Sequence, residues 1–248
     1  MRRFNSISIA MGAALISAAF GANAAHADTK FEAGSEGDTW LSGWGMEASM
    51  GVTSDYRYRG VSLSNGDAAW QGDLSFAHAN GVYVYGWASS IADNGGDDIE
   101  LMGAIGWAGA FFAEDLSIDL GLNTYVYPGV DDSNLLELAA TVTRTWGDAS
   151  FSSGIAYFPE QESLADLDDT YLHAGLEAPL GFWGVTGGLN LGWEEGAFAD
   201  GKVDWSVGAS IPINAFEMRL AYVGARDDAY AFADDAVVAE LRYSLASE

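Results

Sequence analysis

The sequence predicts an all-β fold, a transmembrane, antiparallel, up-and-down β-barrel of about twelve strands. Three observations predict it. From Trp44 onward, apolar residues alternate with polar or small ones at period two, which is the strand signal. The connections between these segments are alternately short and long, as turns and exterior loops are in such a barrel. The first 27 residues have the layout of an export signal.

The export signal comes first in the chain. Arg2 and Arg3 give a positive start, Ile7 to Phe20 is an apolar stretch, and Ala25-His26-Ala27 places small residues where a signal peptidase reads. Cleavage is expected after Ala27. The alternative is an N-terminal anchor, but the run is shorter than the ~20 apolar residues of a spanning helix. Residues 28–43 have no periodicity and read as a flexible periplasmic lead, and 44–248 as the barrel. Cleavage removes two basic residues and no acidic one. The formal charge therefore falls from −26 for the whole chain to −28 over the remaining 221 residues. That balance excludes the basic footprint of a nucleic-acid binder and a polybasic patch for anionic lipid. The chain has no cysteine, which excludes thiolate catalysis and cysteine-ligated metal. After the signal, no apolar run is long enough for a membrane helix, so membrane residence must come from strands.

Twelve segments carry the alternation: 44–58, 68–78, 81–91, 98–107, 115–127, 134–145, 149–158, 168–178, 183–194, 201–211, 215–225 and 235–246. Most have the ~10 residues a tilted strand needs to cross the hydrocarbon. The later segments are representative. Trp183, Val185, Leu189, Leu191 and Trp193 oppose Gly184, Thr186, Gly188, Asn190 and Gly192. Phe216, Met218, Leu220 and Tyr222 oppose Glu217, Arg219, Ala221 and Val223. Val237, Ala239, Leu241, Tyr243 and Leu245 oppose Val238, Glu240, Arg242 and Ser244. Tight links such as Ala79-Asn80, Gly147-Asp148 and Pro212-Ile213-Asn214 follow even-numbered segments, and longer polar ones such as 159–167 and 226–234 follow odd-numbered ones. Of the 36 acidic residues, eighteen lie in or at the edges of the long connections, which gives that end of the barrel an acidic exterior. A soluble two-sheet sandwich would alternate in the same way. Aromatics near both ends of the apolar faces and the sorting of loops favour the barrel.

The stretch Thr53-Ser54-Asp55-Tyr56-Arg57-Tyr58-Arg59-Gly60-Val61-Ser62 resembles the opening of the TorF porin family. The likeness continues through Asp67-Ala68-Ala69-Trp70-Gln71-Gly72, His78, Gly81-Val82-Tyr83 and Gly86-Trp87. It is specific over residues 46–91, and looser but collinear beyond, at Tyr127-Pro128-Gly129 and Glu137. The resemblance implies a porin-like channel in the outer membrane of a Gram-negative cell, and it carries no substrate. One departure is the ending Leu245-Ala246-Ser247-Glu248, where such barrels commonly end on an aromatic residue. Tyr243 and Leu245 are expected to serve the assembly machinery instead.

The candidate site is a charged constriction on the inward face. Arg57 and Arg59 near the outer end of the first segment, with Arg219 and Arg242 of the last two, are expected to form one contiguous basic wall. Asp55, Glu47, Glu217 and Glu240 share that face, and Asp73, Glu100, Asp119, Glu137 and Asp204 supply carboxylates elsewhere around the pore. A transverse field of this kind orders permeating solutes, and the excess of acids predicts cation preference. The alternative is a paired ladder that fills the lumen and closes it. The barrel would then be structural or adhesive, acting through its acidic exterior loops. Glycines at Gly184, Gly188, Gly192 and Gly208 argue for space, while Tyr83, Tyr85, Trp87, Tyr125 and Tyr127 are large enough to fill it.

No cofactor is expected. Asp93, Asp97 and Asp98, and Asp166, Asp168 and Asp169, are loop clusters that would suit Ca²⁺ or Mg²⁺. Neither matches an EF-hand loop, and a solvated acidic surface is the simpler reading. Such ions would bridge the loops to lipopolysaccharide. The expected partners are outer-membrane lipid and lipopolysaccharide, small hydrophilic solutes or ions, and the assembly machinery, with no nucleic acid. Catalysis is not expected, because the mature histidines, His78 and His173, have no visible nucleophile and orienting group in their own segments.

Overall fold

The computed structural model describes residues 43–93, 98–130, 132–226 and 234–246. The export signal and nearly all of the lead lie outside them. Strand β1 (Trp44–Thr53) is followed by a short pair, β2 (Arg57–Tyr58) and β3 (Val61–Ser62). Then come β4 (Ala69–His78), β5 (Val82–Ser90), β6 (Ile99–Phe111), β7 (Ala113–Val126), β8 (Leu135–Trp146) and β9 (Ala149–Gln161). A 3-10 turn (Glu162–Leu164) leads to β10 (Leu167–Pro179), β11 (Thr186–Gly196), β12 (Lys202–Ile213), β13 (Phe216–Arg226) and β14 (Ala236–Ala246).

Twelve of these strands close a barrel, each antiparallel to its chain neighbour. The ring is sealed where β1 pairs with β14, from Glu47 opposite Ala246 to Thr53 opposite Glu240. Closure leaves no unpaired strand edge, which a sheet in hydrocarbon must achieve. The expected barrel is therefore the observed one, and the sandwich is excluded.

The alternation decides which side of the wall each residue occupies. Outward positions carry the apolar residues, and these are exposed: Trp70 at 73%, Met50 at 60% and Leu191 at 60%. Water-facing surfaces do not carry a continuous apolar band of this kind, so it is the lipid-facing belt. Aromatic residues rim it at both ends, with Trp70, Tyr157, Trp193 and Tyr222 toward the long connections and Trp44, Trp107, Phe112, Trp146 and Trp183 toward the tight turns.

The lumen is packed where it nears the long connections. Met102, Tyr125, Tyr127, Leu135, Phe158, Leu164 and Phe198 form one buried cluster, with Tyr85 and Trp87 against it. The inward glycines are filled from neighbouring strands. A Cβ on Gly106 would meet the Tyr83 ring, and one on Gly192 would meet the Tyr171 hydroxyl. Gly184 lies instead in the turn before β11, at φ +70°. Changing Gly106 to Ala will push Tyr83 off its seat at a cost of ~1–3 kcal/mol, read as a lower urea midpoint of the refolded barrel in vesicles.

Several strand bounds differ from the sequence reading, and the ninth segment, expected from 183, begins at Thr186. The fourth and fifth segments run longer and meet across the single residue Phe112, at φ +63° and 92% exposed. The first segment, expected to run from 44 to 58, ends at Thr53. There the Thr53 hydroxyl donates to the Asp55 carbonyl at 2.9 Å and the chain leaves the wall. Alternation continues through Tyr58 because β2 is itself extended, and period two does not distinguish the wall from a hairpin inside it.

Candidate functional site in the barrel lumen

Residues 54–68 join β1 to β4 and fold into the barrel mouth. β2 and β3 pair as a hairpin, Arg57 opposite Ser62 and Tyr58 opposite Val61. Its two central residues, Arg59 and Gly60, both have positive φ, +46° and +84°, as a two-residue type I′ turn requires. The hairpin is tied at several points. The Asp55 carboxylate accepts from Arg57 Nε at 2.5 Å, Ser62 Oγ at 2.5 Å and Ser64 Oγ at 3.1 Å. Leu63 N–H donates to the Tyr56 carbonyl at 2.7 Å and Ala92 N–H to the Leu63 carbonyl at 2.8 Å. Arg57 Nη1 reaches the carbonyls of Gly60 and Asp234, at 3.0 and 2.6 Å. Gly60 rests on the wall, where a Cβ would stand 2.7 Å from both the Gly224 carbonyl oxygen and Ala225 Cβ.

From that seat Arg59 reaches β8, β10 and β11, the part of the ring opposite β1 and β4, the strands that the hairpin leaves. Its side chain is fully buried. Nη1 donates to Glu194 Oε1 of β11 at 2.5 Å and Nη2 to Glu137 Oε2 of β8 at 2.6 Å. Asp169 Oδ2 of β10 lies 3.8 Å from Nη1. The guanidinium carbon is 4.2 Å from the ring centre of Tyr171 and 4.6 Å from that of Tyr58, with Phe158 at 5.5 Å. Lys202 pairs with the other oxygen of Glu194. Glu137 Oε1 accepts from Asn123 Nδ2 at 2.7 Å and Tyr125 Oη at 3.1 Å. Burying one guanidinium is tolerated only because several carboxylates and these donors satisfy one another.

The other predicted site residues are placed separately. Glu100 accepts from the Tyr56 hydroxyl at 3.2 Å, Asp119 from Tyr83 at 2.9 Å and Asp204 from Tyr171 at 3.1 Å. Lower in the lumen, Arg242 pairs with Glu240 at 3.0 Å and Asp73 at 3.1 Å, and Arg219 with Glu217. Glu47 is half-buried on the same side of β1. Arg219 and Arg242 do lie on neighbouring strands, facing inward. Arg57 and Arg59 do not continue their wall, because they belong to the hairpin, and Arg59 points away from it. Each basic group has its acids beside it, so charge is not segregated across the pore as expected. Between the hairpin and the β10–β14 wall, a cavity of about 90 Å³ remains, lined in part by Asp55, Tyr171, His173, Asp204, Arg219 and Glu240.

Glu194 and Lys202 join the site without having been expected in it, and so does Asp169, which was expected in a loop cluster for Ca²⁺ or Mg²⁺. By sequence Glu194 and Asp169 fall among the eighteen acids in or at the edges of the long connections, whereas both face the lumen and are fully buried. A parity signal was available for all three, since Glu194 falls in step with Asn190 and Gly192, Asp169 with Tyr171 and His173, and Lys202 with Asp204 and Ser206. Asp168 and Asp169 fall on opposite sides of the wall. Asp168 accepts from Tyr157 at the outer rim, while Asp169 accepts from the Phe198 N–H inside, at 3.0 Å. With Asp166 they therefore make no common site, and among the described residues no group of three or more acidic or histidine side chains converges as a metal site. Asp97 lies outside the described residues. At the mouth, Arg226 and Tyr222 donate to Asp235 at 2.8 and 2.5 Å. Arg226 chiefly, then Tyr222, holds that carboxyl down at about 2. This clasp is complete above the usual carboxylate range and is lost only as pH falls through about 2.

A family model described as a bacterial protein of unknown function, Gcw_chp, matches residues 38–245. The chain belongs to that family. No curated protein matches the sequence. Among solved structures, the KdgM porin in complex with disordered oligogalacturonate has a TM-score of 0.56 at 10% identity, over 81% of this chain and 99% of that one. The NanC porin has 0.52 at 10% identity, over 82% and 99%. At such identity this Gcw_chp chain shares their fold, a closed twelve-stranded barrel, and its lumen chemistry has to be read from its own residues.

Proposed function

We propose that this protein is an outer-membrane channel for passive diffusion of small hydrophilic solutes or ions, constricted by its inward hairpin and preferring cations. The observation that carries the reading is the lumen itself, an interior with a loop folded into its mouth and with carboxylates that outnumber its basic groups. Fixed negative charge in a low-dielectric wall concentrates counter-ions and repels anions. The outward apolar belt with aromatic rims supports residence in the outer membrane, among its lipid and lipopolysaccharide, with delivery by a cleaved signal peptide and the assembly machinery. The likeness to two porins and the TorF-like stretch over 46–91 support the same reading. A polyanion such as the oligogalacturonate of the KdgM complex is a poor solute for this lumen. Catalysis is not proposed, since His173 stacks on Tyr171 and lies 3.5 Å from Thr141 Oγ1 inside the lumen, away from lipid substrates.

The test is single-channel conductance of the refolded protein in a planar bilayer under a salt gradient. Small discrete steps with a cation-selective reversal potential are expected. One observation favours a second reading. The buried aromatic cluster and the paired hairpin together cover the exterior half of the lumen, as in a closed barrel acting through its acidic loops. Folded protein, recognised by its heat-dependent gel mobility, that gives no steps would decide for that reading.

A further inference from the structure

Arg59 occupies a pocket with the shape and chemistry of a guanidinium receptor. A guanidinium is planar, donates in a fork, and stacks on aromatic faces. The wall meets each property: Glu194 and Glu137 accept from its two terminal nitrogens at 2.5 and 2.6 Å, and the Tyr171 ring lies 4.2 Å from its carbon. These wall groups come from β8, β10 and β11, so the receptor does not belong to the hairpin that fills it. It also has acceptor capacity beyond what Arg59 uses. Asp169 Oδ2 and Asp204 Oδ2 are buried and accept no hydrogen bond, and Asp204 lines the adjoining cavity.

We propose that this cage is a binding site for guanidinium-bearing solutes, and that Arg59 is a tethered occupant which such a solute displaces. Exchange of one guanidinium for another keeps the buried carboxylates paired, so entry does not require leaving them bare. Release of Arg59 frees the hairpin tip from the far wall, which couples solute binding to widening of the mouth. The inference names the solute class of the proposed channel and so rests on that reading.

The probe is agmatine, with cadaverine as the ammonium control, titrated calorimetrically against folded barrels in detergent micelles. Arg59→Ala should bind agmatine at one site, at least tenfold tighter than wild type does and at least tenfold tighter than it binds cadaverine. Adding Glu194→Gln to that variant should remove most of the gain. Equal binding of agmatine and cadaverine, or no gain over wild type, overturns the proposal. If Arg59→Ala does not refold, Arg59→Lys takes its place. Its ammonium cannot fork, so agmatine should displace it more readily than it displaces the native arginine, and no gain there overturns the proposal equally. Binding and conductance are separate readouts. Selective binding without channel steps keeps the site and removes the channel, and steps without selective binding do the reverse.

Discussion

Arg59→Ala is expected to raise single-channel conductance severalfold and to steepen cation selectivity. The side chain spans the mouth and neutralises carboxylates on the opposite wall, so its loss removes both a barrier and a compensating charge. Glu137, Glu194 and Asp169 are then left with Lys202 as their cationic partner among the described residues. Removing one partner of a buried ionic cluster costs about 3–5 kcal/mol, and water entering the widened mouth brings the cost toward the lower figure. The loss is read from urea unfolding in vesicles, followed by tryptophan emission. Arg59→Lys keeps the charge without the fork and should recover only part of the stability. Unchanged step size from folded Arg59→Ala barrels would mean that the barrier lies elsewhere, in the aromatic cluster around Tyr125 and Phe158.

Gly60→Val should open the same mouth by a route that leaves all charges in place. Gly60 sits at φ +84° with the Gly224 carbonyl and Ala225 Cβ 2.7 Å from where a Cβ would stand. A β-branched residue meets two objections there, the left-handed backbone and the wall. Both are relieved only if the hairpin lifts. The variant should show larger or flickering steps with selectivity near wild type, because Arg59 stays tethered at the pore. The barrel wall is untouched, so the heat-dependent gel shift should persist. Wild-type conductance from Gly60→Val would show that the seat on β12 and β13 does not hold the constriction.

The two variants test what the sequence did not reveal. Parity along each strand was legible, and it assigned Glu137, Asp204, Arg219 and Arg242 to the inward face without any tertiary information. The same signal misassigned Arg57 and Arg59. A β-hairpin in the lumen and a β-strand in the wall have the same alternation, and the φ values that break them apart at Arg59 and Gly60 are local backbone choices that several sequences permit. Glu194 and Asp169 were legible as acids at the edges of their strands but were grouped with the exterior acids, because strand ends are uncertain by a few residues. At a barrel rim, one residue separates a lumen position from a solvated one.

The sequence by itself determined the architecture: strand count, side-chain facing, and the sorting of turns and long connections, all of which follow from local periodicity and composition. Tertiary structure alone decided the site. The cage holding Arg59 joins positions 78 and 135 residues away in the chain, and they become neighbours only when β1 meets β14 and closes the ring. Whether a connection lies over the mouth or inside it is settled by contacts across the lumen. Those contacts have no period in the chain, because they depend on the diameter of the closed barrel and on which far-wall groups can neutralise the guanidinium carried in.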